Sequence, residues 1–447
     1  MNAQWQNSRG IHERILVTGN LVLETPALLG SGDAESLVDM PLLLDPLEGR
    51  ALLTGSSIAG ALRNYLRKYN SDLAGMLFGS EGEEQGSRQS LLFVDDALGD
   101  KPEVDLRDSV AVNPRTGTAE DGAKYDLELL MAGSSFKILF ELLVLKGQEK
   151  ILTEGLALVL HGLDKGEIAL GGRKSRGFGR CKVKGWEVIR YDMTKPEGLL
   201  AWLDNDRSGR LQGSDIAGLL GVRVKDMPVP DKFTLQAKFA VDSSLMIHSP
   251  GQIRMFSPGG GESKRGDVCL PDTVHLHSRR GSEYAPVVSG TSLAGALRSR
   301  AVRIANTLGK DGYSLTNHLF GLRRTDAKDR SKPTASRLWV EEKVIQNPLE
   351  LVQSRIKIDR FTGGAYPGAL FSEQPVFGKG DTCLEIKLSL ENPEDWEMGL
   401  LLLLLKDLWT GDLPLGGERA IGRGRLSGKL AELAHGNDKW TIIQEAG

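Results

Sequence analysis

The chain contains one sequence twice. GSSIAGALR at 55–63 returns as GTSLAGALR at 290–298, a separation of 290 − 55 = 235. Leu77-Phe78-Gly79 returns as Leu319-Phe320-Gly321, 319 − 77 = 242 residues on. VNPRTGTAEDGAKY at 112–125 matches IDRFTGGAYPGALF at 358–371, separated by 246, and LGGRKSRGFGR at 170–180 matches LGGERAIGRGR at 415–425, separated by 245. Four blocks in one order at nearly constant spacing require two copies of one folding unit. Each copy is long enough to bury a core of its own. The expected division is 1–191 for the first domain, 192–230 for a variable connecting segment with Pro228 and Pro230 as its hinge, and 231–447 for the second domain.

Local patterns then set the elements. Ile15–Glu24 and Phe233–Val241 alternate apolar and polar residues, the period of a half-buried strand. A Gly-, Ser- and Asp-rich loop follows each. The GSS and GTS blocks then open helices, with a hydroxyl side chain as N-cap. LLFVDD (91–96) and RLWVEE (337–342) read as strands with acidic ends. Residues 127–145 and 377–391 read as strands with a turn. TEGLALVLHGLD and WEMGLLLLLLKDLW read as helices packed on a sheet. The order β-α-β-β-α-β in each copy makes the chain α+β, with two tandem ferredoxin-like (RRM-like) domains.

The repeated blocks suit an anion. Amides at a helix N-terminus bind phosphate, and Gly55, Ser56, Ser57 and Gly290, Thr291, Ser292 are small enough to let one approach. Arg63 and Arg298 lie two turns on, and Gly60 and Gly295 leave room for another backbone. In the Gly-rich loops, amides freed of Cβ obstruction point outward, beside Arg173, Lys174, Arg176 and Arg180 in one copy and Arg419, Arg423 and Arg425 in the other. The competing reading makes these glycines a tight turn where sheet and helix meet. The 112–125 and 358–371 segments read as protruding hairpins. Arg115, Thr116, Lys124 and Tyr125 are the candidates on one, and Arg360, Phe361 and Phe371 on the other, for contact with bases. Net charge is −3, so the basic residues serve a nucleic acid only through clustering. The longest apolar run, around 398–405, is too short to span a bilayer. The N-terminus shows no leader pattern. Cys181, Cys269 and Cys383 form no metal spacing. A cytoplasmic setting without membrane association is expected.

Taken together, these blocks resemble the repeat-associated mysterious proteins, or RAMPs, and above all the backbone subunits of type III CRISPR effector complexes. The resemblance implies a palm with a hairpin thumb. It implies a guide RNA (crRNA) held by each copy, target RNA paired to it, and neighbouring backbone, large and small subunits as partners. In that family an aspartate in the loop after the first strand cuts target RNA, with a divalent metal, expected to be Mg, and the 2′-hydroxyl as nucleophile. Asp39, before Met40-Pro41-Leu42, falls on that position and would be the metal ligand, with Asp33 a weaker alternative. In the second copy Asp272 stands at about the right place without the family proline, and Asp267 is an alternative. That copy either cuts through Asp272 or only binds. The whole chain reads as an RNA-guided endoribonuclease subunit, or alternatively as a non-catalytic crRNA-binding scaffold. His275 and His277 share a face of an extended segment, expected to be exposed.

Overall fold

A computed structural model describes residues 10–32, 38–79, 89–113, 116–223, 231–249, 271–281, 283–322 and 334–444. Contacts divide the chain into two compact units. Unit 1 is Met1–Asp105, Glu128–Lys174 and Phe178–Pro230; unit 2 is Leu106–Leu127, Ser175–Gly177 and Asp231–Gly447. The units follow the repeats except that most of the first hairpin, and three residues of the first Gly-rich loop, group with unit 2.

In unit 1, strand Ile11–Leu23 pairs antiparallel with Ser135–Leu145 on one side and Cys181–Asp192 on the other. Leu92–Val94 flanks Ser135–Leu145. Numbered in chain order, the four strands lie 4-1-3-2, the order of the ferredoxin-like fold. Helices α1 (Gly55–Arg67) and α3 (Glu149–Asp164) supply the two crossovers. They bury Ile58, Leu62, Leu156 and Leu160 in one core with Ile15, Val17 and Leu21 of the first strand. Between them, α2 (Ser71–Phe78) ends at Gly79 with φ 83°, so the Leu-Phe-Gly block is a helix stop.

The segment expected as a connection is largely folded. It begins within the last strand, continues as α4 (Pro196–Leu203), adds Leu211–Gly213 to the sheet edge opposite Trp186 and Val188, and forms α5 (Ile216–Leu219). Ile216 and Leu220 enter the core of unit 1. Pro228 and Pro230 lie outside the described residues.

Unit 2 repeats the plan. Lys232–Val241 pairs with Cys383–Glu391 and Leu426–His435, and Leu338–Val340 pairs with Cys383–Glu391. The order is again 4-1-3-2. Helices α6 (Gly290–Thr307), α7 (Gly312–Phe320) and α8 (Asp395–Trp409) take the places of α1, α2 and α3. A separate core holds Leu235, Phe239, Leu297, Ile386 and Leu404. No helix of the described residues is long and apolar enough to cross a membrane.

Candidate nucleic-acid interface

The Gly-rich loops are built as a lattice of backbone bonds with the same register in both units. Leu170 N–H donates to Gly179 O, Gly172 to Leu28 O and Gly179 to Pro26 O, at 2.8–2.9 Å. In unit 2, Leu415 donates to Gly424 O, Gly417 to Met246 O and Gly424 to Ser244 O, at 2.7–2.9 Å. A Cβ on Gly179 would stand 1.8 Å from Leu170 O, and one on Gly424 1.9 Å from Leu415 O. These two glycines are therefore required by the loop itself. The arginines around them have different fates. Arg419 and Arg425 are exposed, while Arg173, Lys174, Arg176 and Arg180 are half-buried. Arg423 is 2 % exposed and paired with Glu373 and Glu418. Its charge is spent inside the protein, which removes it from the expected anion-binding set.

The helix openings are corrected in the same way. The N-caps are Thr54 and Ser289, one residue ahead of each block, and each accepts the N–H of Ser57 or Ser292. Ser56 and Thr291 donate their hydroxyls back to those caps at 3.1 Å. Gly55 N–H donates to Asp96 Oδ1 at 2.7 Å, so a carboxylate already occupies the first amide of α1. Gly290 is buried, and a Cβ there would lie 2.1 Å from Arg176 O. Arg298 donates to Gly321 O at 3.1 Å and to Asn317 Oδ1. It therefore braces the helix stop of α7. Arg63 is half-buried on α1. A Cβ on Gly60 or Gly295 would meet nothing within 4 Å, so no protein backbone approaches there. The exposed hydroxyl face is Ser56 and Ser57.

Both hairpins have the same tip. Thr116 N–H donates to Asn113 Oδ1, and Phe361 and Thr362 N–H donate to Asp359 Oδ1. Gly117 and Gly363 each donate back to the carbonyl of that Asn or Asp at 2.9 Å. The two amides hold the Asp359 carboxyl below the usual carboxylate range. Arg115 lies outside the described residues. Thr116 is exposed, and Lys124 is exposed and paired with Asp108 at 2.6 Å. Tyr125 is half-buried. On the second hairpin Arg360 is exposed, Phe361 fully so, and Phe371 at 38 %.

The loop after the first strand is pinned at both ends in unit 1. Gly30 bridges Leu42, and Leu43 N–H donates to Leu29 O. Glu128, at the hairpin base, donates its N–H to Met40 O and accepts Leu42 N–H at 2.9 Å through Oε2. On the other side Arg173 Nη2 reaches Met40 Sδ at 3.8 Å. Asp39 is exposed between the glycine loop and the hairpin base. Asp33 and Asp267 lie outside the described residues.

Asp272 occupies the matching place. Glu128 and Gln374 are equivalent hairpin positions, 374 − 128 = 246. Gln374 pairs with Val274, and Glu128 sits opposite Pro41. Asp272 and Asp39 each precede that partner by two residues. Asp272 Oδ2 accepts Ser372 N–H at 2.7 Å and Ser372 Oγ–H at 3.2 Å.

The histidine pair is buried, against expectation. His275 is 0 % and His277 4 % exposed. Ile247 N–H, which can only donate, points at His275 Nδ1 at 3.2 Å, so Nδ1 is bare and Nε2 carries the proton toward Val287 O at 3.0 Å. Burial, and then the neighbouring His277, push its pKa down to about 4. His275 therefore tethers the segment after the first strand. Among the described residues no group of three or more His, Cys, Asp or Glu side chains is placed to hold a metal.

Sequence reasoning missed one cluster. Glu342 is fully buried in unit 2, between Arg107 Nη1 at 2.5 Å and Arg280 Nη2 at 2.6 Å. It fixes the first hairpin within that unit. Its partners lie 235 and 62 residues away in sequence, and no local pattern announces them.

Comparison with known proteins bears on the whole chain. The pattern of the RAMP superfamily matches residues 20–182 and again 271–427. The chain is 28% identical over 218 residues to the CRISPR system Cms endoribonuclease Csm3 of Streptococcus thermophilus, covering 42% of this chain and 96% of that one. It is 28% identical over 210 residues to the protein of the same name from Mycobacterium tuberculosis (strain ATCC 25618 / H37Rv), covering 38% of this chain and 86% of the other. Each relative is thus spanned nearly whole by about two fifths of this chain, as expected for one copy of a doubled unit.

Proposed function

The chain belongs to the RAMP superfamily, and from that premise we propose that it is a doubled backbone subunit of a type III CRISPR effector complex. It binds crRNA and cleaves complementary target RNA at Asp39. One observation carries the reading: the loop bearing Asp39 is anchored between the glycine loop and the hairpin base, and the same anchoring recurs at Asp272. A solvent-facing carboxylate between two RNA-sized arms is placed to meet a ribose-phosphate strand lying along them.

In this reading Asp39 accepts the proton of the target's 2′-hydroxyl. The O2′–phosphorus bond forms, the phosphorus–O5′ bond breaks, and O5′ takes a proton from water. One exposed carboxylate fits a magnesium ion shared with RNA, since that ion keeps several waters and is held by one or two carboxylates plus substrate phosphates. Bound there, it would supply charge stabilisation at the phosphoryl oxygens. Guide pairing, and not protein contact with bases, would select the target. Neighbouring backbone, large and small subunits would complete the particle.

The test is to assemble the complex with crRNA, add complementary RNA and magnesium, and map the products for Asp39→Ala. Loss of one product with crRNA retained supports cleavage at Asp39. An unchanged product ladder leaves a crRNA-binding scaffold.

A further inference from the structure

We infer that the two aspartate positions are unequal: Asp39 marks the cutting site, Arg173 holds the scissile strand there, and Asp272 is a structural tether of the second hairpin. The inference rests on the proposed reading that Asp39 cleaves RNA. It concerns how this chain divides labour between its copies.

The backbones match, so the difference lies in the side chains. Asp272 Oδ2 takes both hydrogens of Ser372, the amide at 2.7 Å and the hydroxyl at 3.2 Å. Asp272 N–H returns to Ser372 Oγ at 3.2 Å. This closed set of bonds fastens the loop to the hairpin strand and uses the carboxylate to do so. The first-copy residue matching Ser372 is Asp126, since 372 − 126 = 246. An ionised carboxylate has no side-chain hydrogen to give, so the first copy cannot close the same set of side-chain bonds.

A second, independent difference sits in the glycine loops. Arg173 and Glu418 are equivalent positions, 418 − 173 = 245. Both are non-glycine residues in the left-handed region, with φ 52° and 55°. Such a conformation costs about 1–3 kcal/mol and persists where the surroundings enforce it. One backbone therefore presents opposite charges in the two copies. Arg173 directs its guanidinium to Met40, next to Asp39, at 3.8 Å. Glu418 instead pairs with Arg423 Nη1 at 2.5 Å and Arg355 Nη1 at 3.6 Å. Arg423 and Arg355 also contact Glu373, the neighbour of Ser372. Burial and the adjacent Glu373 raise the Glu418 pKa. The second loop thus spends its cations internally and adds an acid where the first offers a guanidinium. Charge building on a phosphoryl group at cleavage needs a fixed donor, and Arg173 is placed to be one.

The experiment uses the assembled complex with crRNA, complementary target RNA and magnesium, following each product under single-turnover conditions. Asp272→Asn, which keeps an oxygen for Ser372, is expected to leave every product and its rate unchanged. Arg173→Ala is expected to slow the Asp39-dependent cut by about a hundredfold, the loss typical of one transition-state donor, with crRNA content unchanged. Arg173→Lys is expected to recover part of that loss, which a purely structural role would not give. Loss of a second product with Asp272→Asn, or an unchanged rate with Arg173→Ala, overturns the inference while leaving cleavage at Asp39 standing. If Asp39→Ala removes no product, the underlying reading fails first.

Discussion

Replacing Glu342 with glutamine should be among the most destabilising single changes in unit 2. The carboxylate has no exposed surface and meets two guanidiniums, Arg107 at 2.5 Å and Arg280 at 2.6 Å, with Arg107 only 5 % exposed. A charge pair about 4 Å apart at an effective dielectric near 20 is worth about 4 kcal/mol, and Glu342 serves two. Desolvation of three ions offsets much of that gain, so the cluster as a whole adds little net stability. Removing only the anion is different, because it strands buried positive charge at a cost of about 3–5 kcal/mol. Urea unfolding followed by tryptophan fluorescence reads this directly. With a slope of about 2–3 kcal/mol per molar, the unit 2 transition should move down by about 1–2 M. Protease sensitivity of the 106–127 hairpin should rise with it, since Arg107 is its buried anchor. Replacing all three residues with apolar ones of similar volume should restore most of the loss. A Glu342→Gln cost below about 1 kcal/mol would refute the claim that this cluster fixes the hairpin.

Other expectations follow from the same geometry. Gly179→Ala should lower the melting temperature of unit 1, because φ is +71° and the added Cβ would lie 1.8 Å from Leu170 O. Gly60→Ala, in open space within α1, should instead stabilise by up to about 1 kcal/mol; equal effects at the two sites would contradict the loop assignment. Acid should destabilise unit 2 through His275. Its folded pKa of about 4 lies below the ordinary 6.5, so the unfolded chain takes up a proton that the folded chain refuses. Stability is then lost as pH falls below 6.5, by about 2 kcal/mol at pH 5. The pH dependence of urea midpoints for wild type and His275→Phe checks it, and an identical slope in both would count against a buried neutral histidine. Below about pH 4.5 Glu342 adds to the loss. Burial raises its pKa, but Arg107 and Arg280 outweigh that and hold it under its usual value. RNA binding by the assembled protein should weaken with salt, and Arg425→Ala should reduce the slope of log K against log salt by about 0.7 if that exposed arginine meets a phosphate.

The fold was legible because duplication and strand period are written in short stretches. Alternation at Phe233–Val241 and the apolar run near 398–408 each identify an element without reference to the rest of the chain. The site was legible in position more than in chemistry. Asp39 and Asp272 were found by their spacing from the repeated blocks, and hairpin pairing brings them into register. What escaped were the partners of charged groups. Arg423 and Arg298 look like arms in sequence and prove to be braces, because their acceptors, Glu373 and Gly321, lie 50 and 23 residues away. His275 and His277 looked solvent-facing because alternation gives a shared face without saying which face is buried. The first hairpin's membership of unit 2 depends on one ion cluster spanning 235 residues, which periodicity cannot reveal.

The most direct measurement of the account is the RNA content of the chain itself. Purified after co-expression with a CRISPR array and its partner subunits, then washed in moderate salt, the protein should carry RNA whose sequence reads as processed spacer flanked by repeat. Protein recovered from the same preparation without nucleic acid, though folded and assembled, would contradict the claim that its two halves are built to hold a guide strand.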